Sequence, residues 1–450
     1  MKQNALSGRI RLPEAVKNII ETIEAAGYEA YAVGGCVRDC LLGRSPDDWD
    51  ITTSAKPQVI KGLFRRTVDT GIKHGTVTIM MGAAGYEVTT YRIDGEYEDN
   101  RHPKEITYTA NLVEDLKRRD FTINAMAYNE SQGLIDVFDG IGDMQKEILC
   151  CVGNPIERFT EDALRIMRAV RFSAQLGYTI EEKTRAALTT LSPYLAHISA
   201  ERIQTELVKL ITSAHPDYLR VAYETGITTV ILPELDSCMK TEQHNPHHCY
   251  TVGEHTLRTM AAIAPDRVLR LTMLFHDMGK AVTRTTDETG TDHFHGHVEQ
   301  SEKMAGAILH RLKFDNDTIR KVSILVRYHD MQVEASFRAV RRAVNKVGEE
   351  LFPLLFQVKA ADLAGQSAYE KEAKQAKLEE VRNIYDQIIR QSQCVSLKTL
   401  AVTGRDLIDA GFAPGRELGV ILQELLELVL EDPKHNTKEY LIEQANQIHR

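Results

Sequence analysis

The sequence predicts an α+β protein, a head of mixed sheet and helix followed by an extended, all-helical remainder. Three observations predict it. Glu29-Ala30-Tyr31-Ala32-Val33 reads as a buried strand that ends at Gly34-Gly35. Tyr86-Glu87-Val88-Thr89-Thr90-Tyr91 alternates as a half-buried strand does. From about residue 150 onward the chain reads helical. The predicted organisation is a head over 1–150, a helical neck and body over 151–235, a helical domain over 236–365, and a helical tail over 366–450.

The first strand leads into the most informative stretch, Tyr31 to Ile51. Glycine lets the backbone approach a ligand that a Cβ would push away. Val37 to Leu42 reads as the first turns of a helix, so strand, Gly34-Gly35 and helix N-terminus together make an anion site. Arg38 stands at the start of that helix and can fork onto phosphate oxygens. Asp48 and Asp50 flank Trp49 and run into Ile51, and on a strand such positions share a face. Two carboxylates side by side repel unless a cation lies between them, and Mg²⁺ is the natural hard, oxygen-loving choice. These are the parts that phosphoryl transfer from a nucleotide needs. The competing reading is a solvated turn, because Ser45-Pro46-Asp47-Asp48 looks like one.

Composition bounds the rest. A chain of 450 residues holds several domains, and 43% hydrophobic with 26% charged residues marks a globular class. No apolar run approaches a membrane span, and Met1 to Val16 lacks the apolar core of a secretory signal. Seven cysteines without metal-like CxxC pairs suggest reduced thiols in a cytoplasmic setting. Cys36, Cys40, Cys150 and Cys151 read as small core residues. The net charge of −9 argues against a nucleic-acid partner, although a basic cleft can sit within an acidic molecule.

Within Glu157 to Phe172 a helix is predicted, with Thr160 as its N-cap and Glu161 and Asp162 in the first turn. Asp162, Arg165, Arg168 and Arg171 recur every three residues and form a stripe. The ordinary explanation is a solvent face laced with ion pairs, Glu161 with Arg165 among them. A sharper one comes from base chemistry. Cytosine and adenine each present an amino donor beside a ring-nitrogen acceptor on their pairing edges. A carboxylate accepts from the first and a guanidinium donates to the second. Asp162 with Arg165 can therefore accept C and A and leave G and U with unpaired polar groups, at about 1–3 kcal/mol each.

The motif Gly34-Gly35-Cys36-Val37-Arg38-Asp39 through Asp48-Trp49-Asp50-Ile51 resembles the head signature of class II tRNA nucleotidyltransferases and bacterial poly(A) polymerases, members of the polymerase β-like nucleotidyltransferase superfamily. The resemblance continues at Gly71 to Thr76, Glu87 to Arg92, Lys117 to Ala125 and Glu161 to Arg165, so it spans roughly the first 175 residues in order. It implies that Asp48, Asp50 and Glu87 hold two Mg²⁺ ions, with Glu87 the third carboxylate. It implies that Asp162 and Arg165 form a protein template for CTP and ATP, with Arg119, Arg168 and Arg171 lining the nucleotide site. It implies tRNA as the partner and CCA addition as the activity. Tyr91 to Tyr108, charged and aperiodic, reads as a mobile loop. In the resembled family a loop here is linked to the change from C to A addition, which makes a C-only enzyme a poor fit.

A second pattern lies mid-chain. His255, then His276-Asp277 after the apolar run Val268 to Phe275, then Asp362, resemble in order the metal site of the HD phosphohydrolase superfamily. Imidazole with carboxylate suits Mn²⁺, Ni²⁺, Co²⁺, Fe²⁺ or Zn²⁺. The resemblance implies a second divalent ion and hydrolysis of phosphomonoesters or 2′,3′-cyclic phosphates. His293, His295, His297 and the pair His329-Asp330 could extend the site or bind phosphate, whereas His244, His247 and His248 read as polar surface. The tail, with Gly404 to Leu407 and Gly411 to Gly415, weakly resembles a tRNA-contacting end. Three alternatives stand beside CCA addition. One is a dedicated A-adding enzyme. Another is a poly(A) polymerase, disfavoured by the excess of acids over bases from Arg416 onward. The third is chiefly an HD phosphohydrolase with an RNA-binding head.

Overall fold

The computed structural model describes residues 10–95 and 106–449. The chain forms two compact units, up to Ile231 and from Leu232 onward. The head strands of the first are β1 (Ala30–Val33), β2 (Ile51–Thr53), β3 (Thr67–Gly71), β4 (Thr76–Met81), β5 (Ala84–Thr90), β6 (Arg92–Asp94), β7 (Ile106–Tyr108), β8 (Met126–Asn129) and β9 (Gly133–Asp136). Seven of them form a mixed sheet in the order β3-β4-β5-β2-β1-β8-β9. Strand β2 is antiparallel to β1 and parallel to β5, with Ile51 opposite Val88. Tyr31, Val33, Tyr91, Leu116 and Ala127 pack together on one side of the sheet. The remainder of the unit is helical, apart from the two-residue pairing of Ile148–Leu149 with Thr179–Ile180.

Three expectations shift here. The helix after Gly34-Gly35 starts at Gly35 and runs to Leu41, two residues earlier than Val37. The segment 91–108 is not uniformly irregular, since β6 pairs antiparallel with β7. The rest of that predicted loop, 96–105, lies outside the described residues. The third shift is the largest. The helix expected to follow a Thr160 cap begins only at Leu164. Pro155–Glu161 forms one helix, capped at Asn154 by a side chain that accepts from Ile156 N, and Leu164–Leu176 forms the next. Thr160 is therefore inside the first helix and its hydroxyl donates back to Ile156 O at 2.8 Å, so it caps nothing. A local capping pattern cannot reveal that a different Asn-Pro pair starts the helix six residues earlier.

The second unit is almost wholly helical, with one short hairpin at Thr285–Thr286 and Asp292–His293. Its helices bury two apolar clusters, one around Leu325, Val344, Phe352 and Ile388, the other around Leu407, Leu426, Val429 and Leu441. Among the described residues no helix is long and apolar enough to cross a membrane.

Candidate active site and a buried histidine–aspartate cluster

The head site assembles at one end of β1, β2 and β5. Gly34 has φ +84°, a left-handed conformation that a side chain rarely tolerates. A Cβ built there would lie 2.9 Å from Arg119 Nη1, so glycine also makes room for that guanidinium. Asp48 and Asp50 lie in the extended segment just before β2 rather than on it, yet Val33 N donates to Asp50 O at 3.0 Å and continues the ladder. The parallel register carries Glu87 of β5 alongside Asp50. Asp50 reaches solvent, but the walls of the cleft still strip water from it and raise its pKa. Arg119 opposes that shift, while the negative charges of Asp48 and Glu87 add to it. Three acids and one arginine thus share one field, with an excess of negative charge.

Arg119 is braced from behind. The fully buried Asp115 accepts from Thr52 Oγ1 at 3.0 Å and from Arg118 at 2.8 Å, and lies 3.8 Å from Arg119 Nη2. Arg38 is buried, and its fork is closed on Asp39, with Nη1 donating to Asn124 Oδ1 at 2.6 Å. It reads as a brace of the Gly35–Leu41 helix in this state, and binding a phosphate would require it to release Asp39.

The arginine stripe is not a solvent face, because two of its three arginines are buried and Arg168 is half-buried. Arg165 and Arg171 are 9% and 6% exposed. Arg168 donates twice to Asp120 Oδ2, at 2.8 and 2.6 Å. Burial pushes the Asp120 carboxyl up, but Arg168 and Asn124 outweigh it and hold it at about 2. Arg171 meets Glu206 at 2.5 Å and lies 3.8 Å over the Phe172 ring. Burial lowers the Arg171 pKa to about 10, with Glu206 opposing. Asp162 is not on the helix with the arginines. It occupies the break between helices, accepts from Leu164 N at 3.1 Å, and pairs with Arg202 at 3.2 Å. Arg165 pairs with Glu161 at 2.8 Å and donates to the carbonyls of Arg158 and Arg118. The Glu161–Arg165 pair expected on a solvent face exists, but with Arg165 buried.

In the second unit His255 lies on the helix Val252–Ala262, His276 and Asp277 follow the helix Arg267–Phe275, and Asp362 lies on the helix Phe352–Gly365. These four side chains converge. His255 Nε2 is 2.9 Å from Asp362 Oδ1, 3.3 Å from His276 Nε2 and 3.5 Å from Asp277 Oδ2. His276 Nε2 is 3.4 Å from Asp277 Oδ2 and 3.7 Å from Asp362 Oδ1. Two further histidines approach the other oxygen of Asp277, His329 at 3.6 Å and His297 at 3.7 Å. Each of the four imidazoles gives its Nδ1–H to a backbone carbonyl, of Gly365, Met273, Val326 and Phe294 respectively for His255, His276, His329 and His297. A carbonyl can only accept, so every Nε2 is left to face the aspartates, which is how ligating histidines are oriented. His276 shows how negative the centre is. Burial alone would lower its pKa, yet Asp277 and Asp362 raise it to about 10. Asp277 Oδ1 is buried without a hydrogen-bond partner, and Lys280 donates to Oδ2 at 2.8 Å. An oxygen left open among four imidazoles and a second carboxylate fits a divalent transition-metal ion.

Residues 30–150 match the "Poly A polymerase head domain", 177–239 the "Probable RNA and SrmB- binding site of polymerase A", and 285–445 "tRNA nucleotidyltransferase domain 2 putative". The chain is 37% identical over 432 residues to the CCA-adding enzyme of Levilactobacillus brevis, covering 95% of this chain and 96% of that protein. The chain belongs to the CCA-adding enzyme family. It is 35% identical over 426 residues to the CCA-adding enzyme of Enterococcus faecalis, covering 94% and 93%. The solved CCA-adding enzyme of Bacillus stearothermophilus in complex with CTP is 30% identical, with a TM-score of 0.71 over 96% of this chain and 97% of that one. The chain is thus a nucleotidyltransferase, in agreement with its head motifs, and the α+β class is that of the family.

Within this CCA-adding family member, the fold gathers Asp48, Asp50, Glu87 and Arg119 into one field and His255, His276, Asp277 and Asp362 into one cluster. His293 and His295 stay outside, His293 bonding the exposed Asp287 at 2.8 Å. His248, expected at the surface, packs its ring 5.0 Å from that of His255 and lies 3.4 Å from Lys280. Burial, with Lys280 beside it, lowers its pKa to about 3. Asp115, Asp120, Asn124, Arg202 and Glu206 escaped the reading of the sequence. Asp120 and Asn124 lay in plain view in the Lys117 to Ala125 motif, but Arg202 and Glu206 carry no signal without their partners.

Proposed function

We propose that this protein adds C, C and A to the 3′ end of tRNA from CTP and ATP, with Mg²⁺, in the cytoplasm. The observation that carries the reading is the register that sets Glu87 of β5 beside Asp50, with Asp48 and Arg119 acting on the same carboxylate. Three oxygen donors with excess negative charge fit Mg²⁺. Bound there, two Mg²⁺ ions would activate the tRNA 3′-hydroxyl and neutralise the leaving pyrophosphate. Asp48, Asp50 and Glu87 hold the ions. Gly34 and Gly35 let backbone reach the triphosphate, and Arg38, Arg119, Arg168 and Arg171 surround it with positive charge. Asp162 and Arg165 read the pairing edge of C or A. The head and neck over 1–150 and 151–235 serve addition, and the tail over 366–450 contacts tRNA.

The assay is incubation with tRNA lacking its last three, two or one nucleotides, with CTP, ATP or both. Addition of CCA that then stops supports the reading. Addition only to ends already carrying CC identifies an A-adding enzyme, and long A tails a poly(A) polymerase.

A second activity is favoured by the convergence of His255, His276, Asp277 and Asp362, each Nε2 and carboxylate of which lies within 3.7 Å of another. We propose that 236–365 is an HD-type domain that holds a divalent transition metal there and hydrolyses phosphomonoesters or 2′,3′-cyclic phosphates. Asp277, His297 and His329 offer room for a second ion. Lys280 and Lys374, which line the adjoining recess, supply positive charge for a phosphate. Phosphatase activity that survives His276→Ala with Asp277→Ala would remove this assignment.

A further inference from the structure

We propose that Arg202 is a positioning residue for base selection, which sets the angle at which the Asp162 carboxylate meets the incoming base. The inference rests on the reading of Asp162 and Arg165 as the base-reading pair.

Asp162 needs external support because it lies in a break between helices, with an extended backbone at φ −136° and ψ 101°. No helical turn fixes its side chain. Leu164 N donates to its Oδ1. The other support is Arg202, whose Nη2 reaches Oδ2 at 3.2 Å and Oδ1 at 3.4 Å. Arg165 does not supply it, because Arg165 is engaged with Glu161 and with two backbone carbonyls.

The contact has an unusual form for a structural ion pair. A fork-to-fork pair would use two guanidinium nitrogens and occupy both carboxylate oxygens. Here one nitrogen spans both oxygens, which leaves acceptor lone pairs on Asp162 for a base amino group. Arg202 Nη1 is buried without a hydrogen-bond partner, a costly arrangement in a pair that only held helices together. Arg202 lies in the first turn of the helix Ala200–Ile211. Glu206, one turn further on the same face, meets Arg171 in a contact with both side chains under 10% exposed. One helix therefore touches the stripe at both ends, with Arg202 on Asp162 and Glu206 on Arg171.

The test compares Arg202→Ala, Arg202→Lys, Asp162→Ala and the Arg202→Ala/Asp162→Ala double variant, with melting curves on each. kcat and KM are measured for CTP, ATP, GTP and UTP on tRNA ends that call for C and for A. Arg202→Ala is expected to lower the preference for the correct nucleotide, as a ratio of kcat/KM values, by roughly tenfold or more, as small misplacements in a binding site do. Arg202→Lys restores part of it, and the double variant discriminates no worse than Asp162→Ala. An equal loss for all four nucleotides, with the ratio unchanged, overturns the inference. Should the truncation fail to fold, Arg202→Gln keeps the stem and a donor and is judged by the same ratio. If Asp162→Ala leaves discrimination intact, the base-reading assignment itself fails. If Asp162→Ala collapses it and Arg202→Ala does not, only the role of Arg202 fails.

Discussion

Asp48, Asp50 and Glu87 offer only oxygen and stand exposed, whereas His255, His276 and Asp277 are at most 2% exposed and offer mainly nitrogen. The first arrangement suits hard ions that arrive with a triphosphate and leave with the pyrophosphate. The second suits an ion that stays, because its imidazoles are oriented by backbone carbonyls before any ion binds. The difference also appears in what opposes the negative charge. At the head it is Arg119, braced by Asp115, and in the cluster it is Lys280.

The comparison breaks most visibly at the exposed acids. Asp48→Ala or Asp50→Ala should slow nucleotide addition by roughly a thousandfold or more, the scale of transition-state electrostatics in phosphoryl transfer. Metal content of the second unit, read by elemental analysis, should be unchanged. Parallel loss of that metal would show that the two centres are not independent. His276→Ala with Asp277→Ala should do the reverse. It should abolish stoichiometric transition-metal binding while single-turnover addition stays within about twofold, since substitutions at sites that share no partners act independently. Next in size is a scaffold effect. Glu206→Ala strips the buried Arg171 of its carboxylate and should cost about 3–5 kcal/mol in denaturant unfolding. A cost under about 1 kcal/mol would mean that Arg171 finds another partner.

The smallest effect concerns pH. Asp120 titrates at about 2 in the folded protein, below its ordinary 3.8. The folded carboxylate is the favoured form, so this stability is fully present above about pH 4 and is lost as pH falls through about 2. The difference corresponds to about 2 kcal/mol. Unfolding free energies of the wild type and Asp120→Asn should therefore converge on acidification across that window. Curves that stay parallel would show that Arg168 does not depress the Asp120 carboxyl.

Much of the head was legible because its chemistry is local. Gly34-Gly35, Asp48, Asp50 and Glu87 lie on short segments whose period-two pattern and turn residues announce themselves. The Glu157 to Phe172 stretch misleads for an equally physical reason. Its apolar spacing is compatible with one continuous helix, and only the cap at Asn154 and the extended backbone at Asp162 show that there are two. The stripe therefore resembles a solvent face in the sequence, and the pairs Arg168–Asp120 and Arg171–Glu206 that bury it join residues far apart in the chain. His248 is hidden in the same way, since nothing local marks a histidine that will pack against His255.

The sequence by itself determined the α+β class and the nucleotidyltransferase family, and it singled out the candidate acids and histidines, because these follow from residue types at fixed short spacings. Only the tertiary structure decided which charges meet. It set Arg202 rather than Arg165 on Asp162, closed Arg38 on Asp39 and brought His297 and His329 to Asp277. Such pairings depend on where helices distant in sequence come to lie, and the free energy that selects them is spread over the packing of whole elements rather than written at either partner.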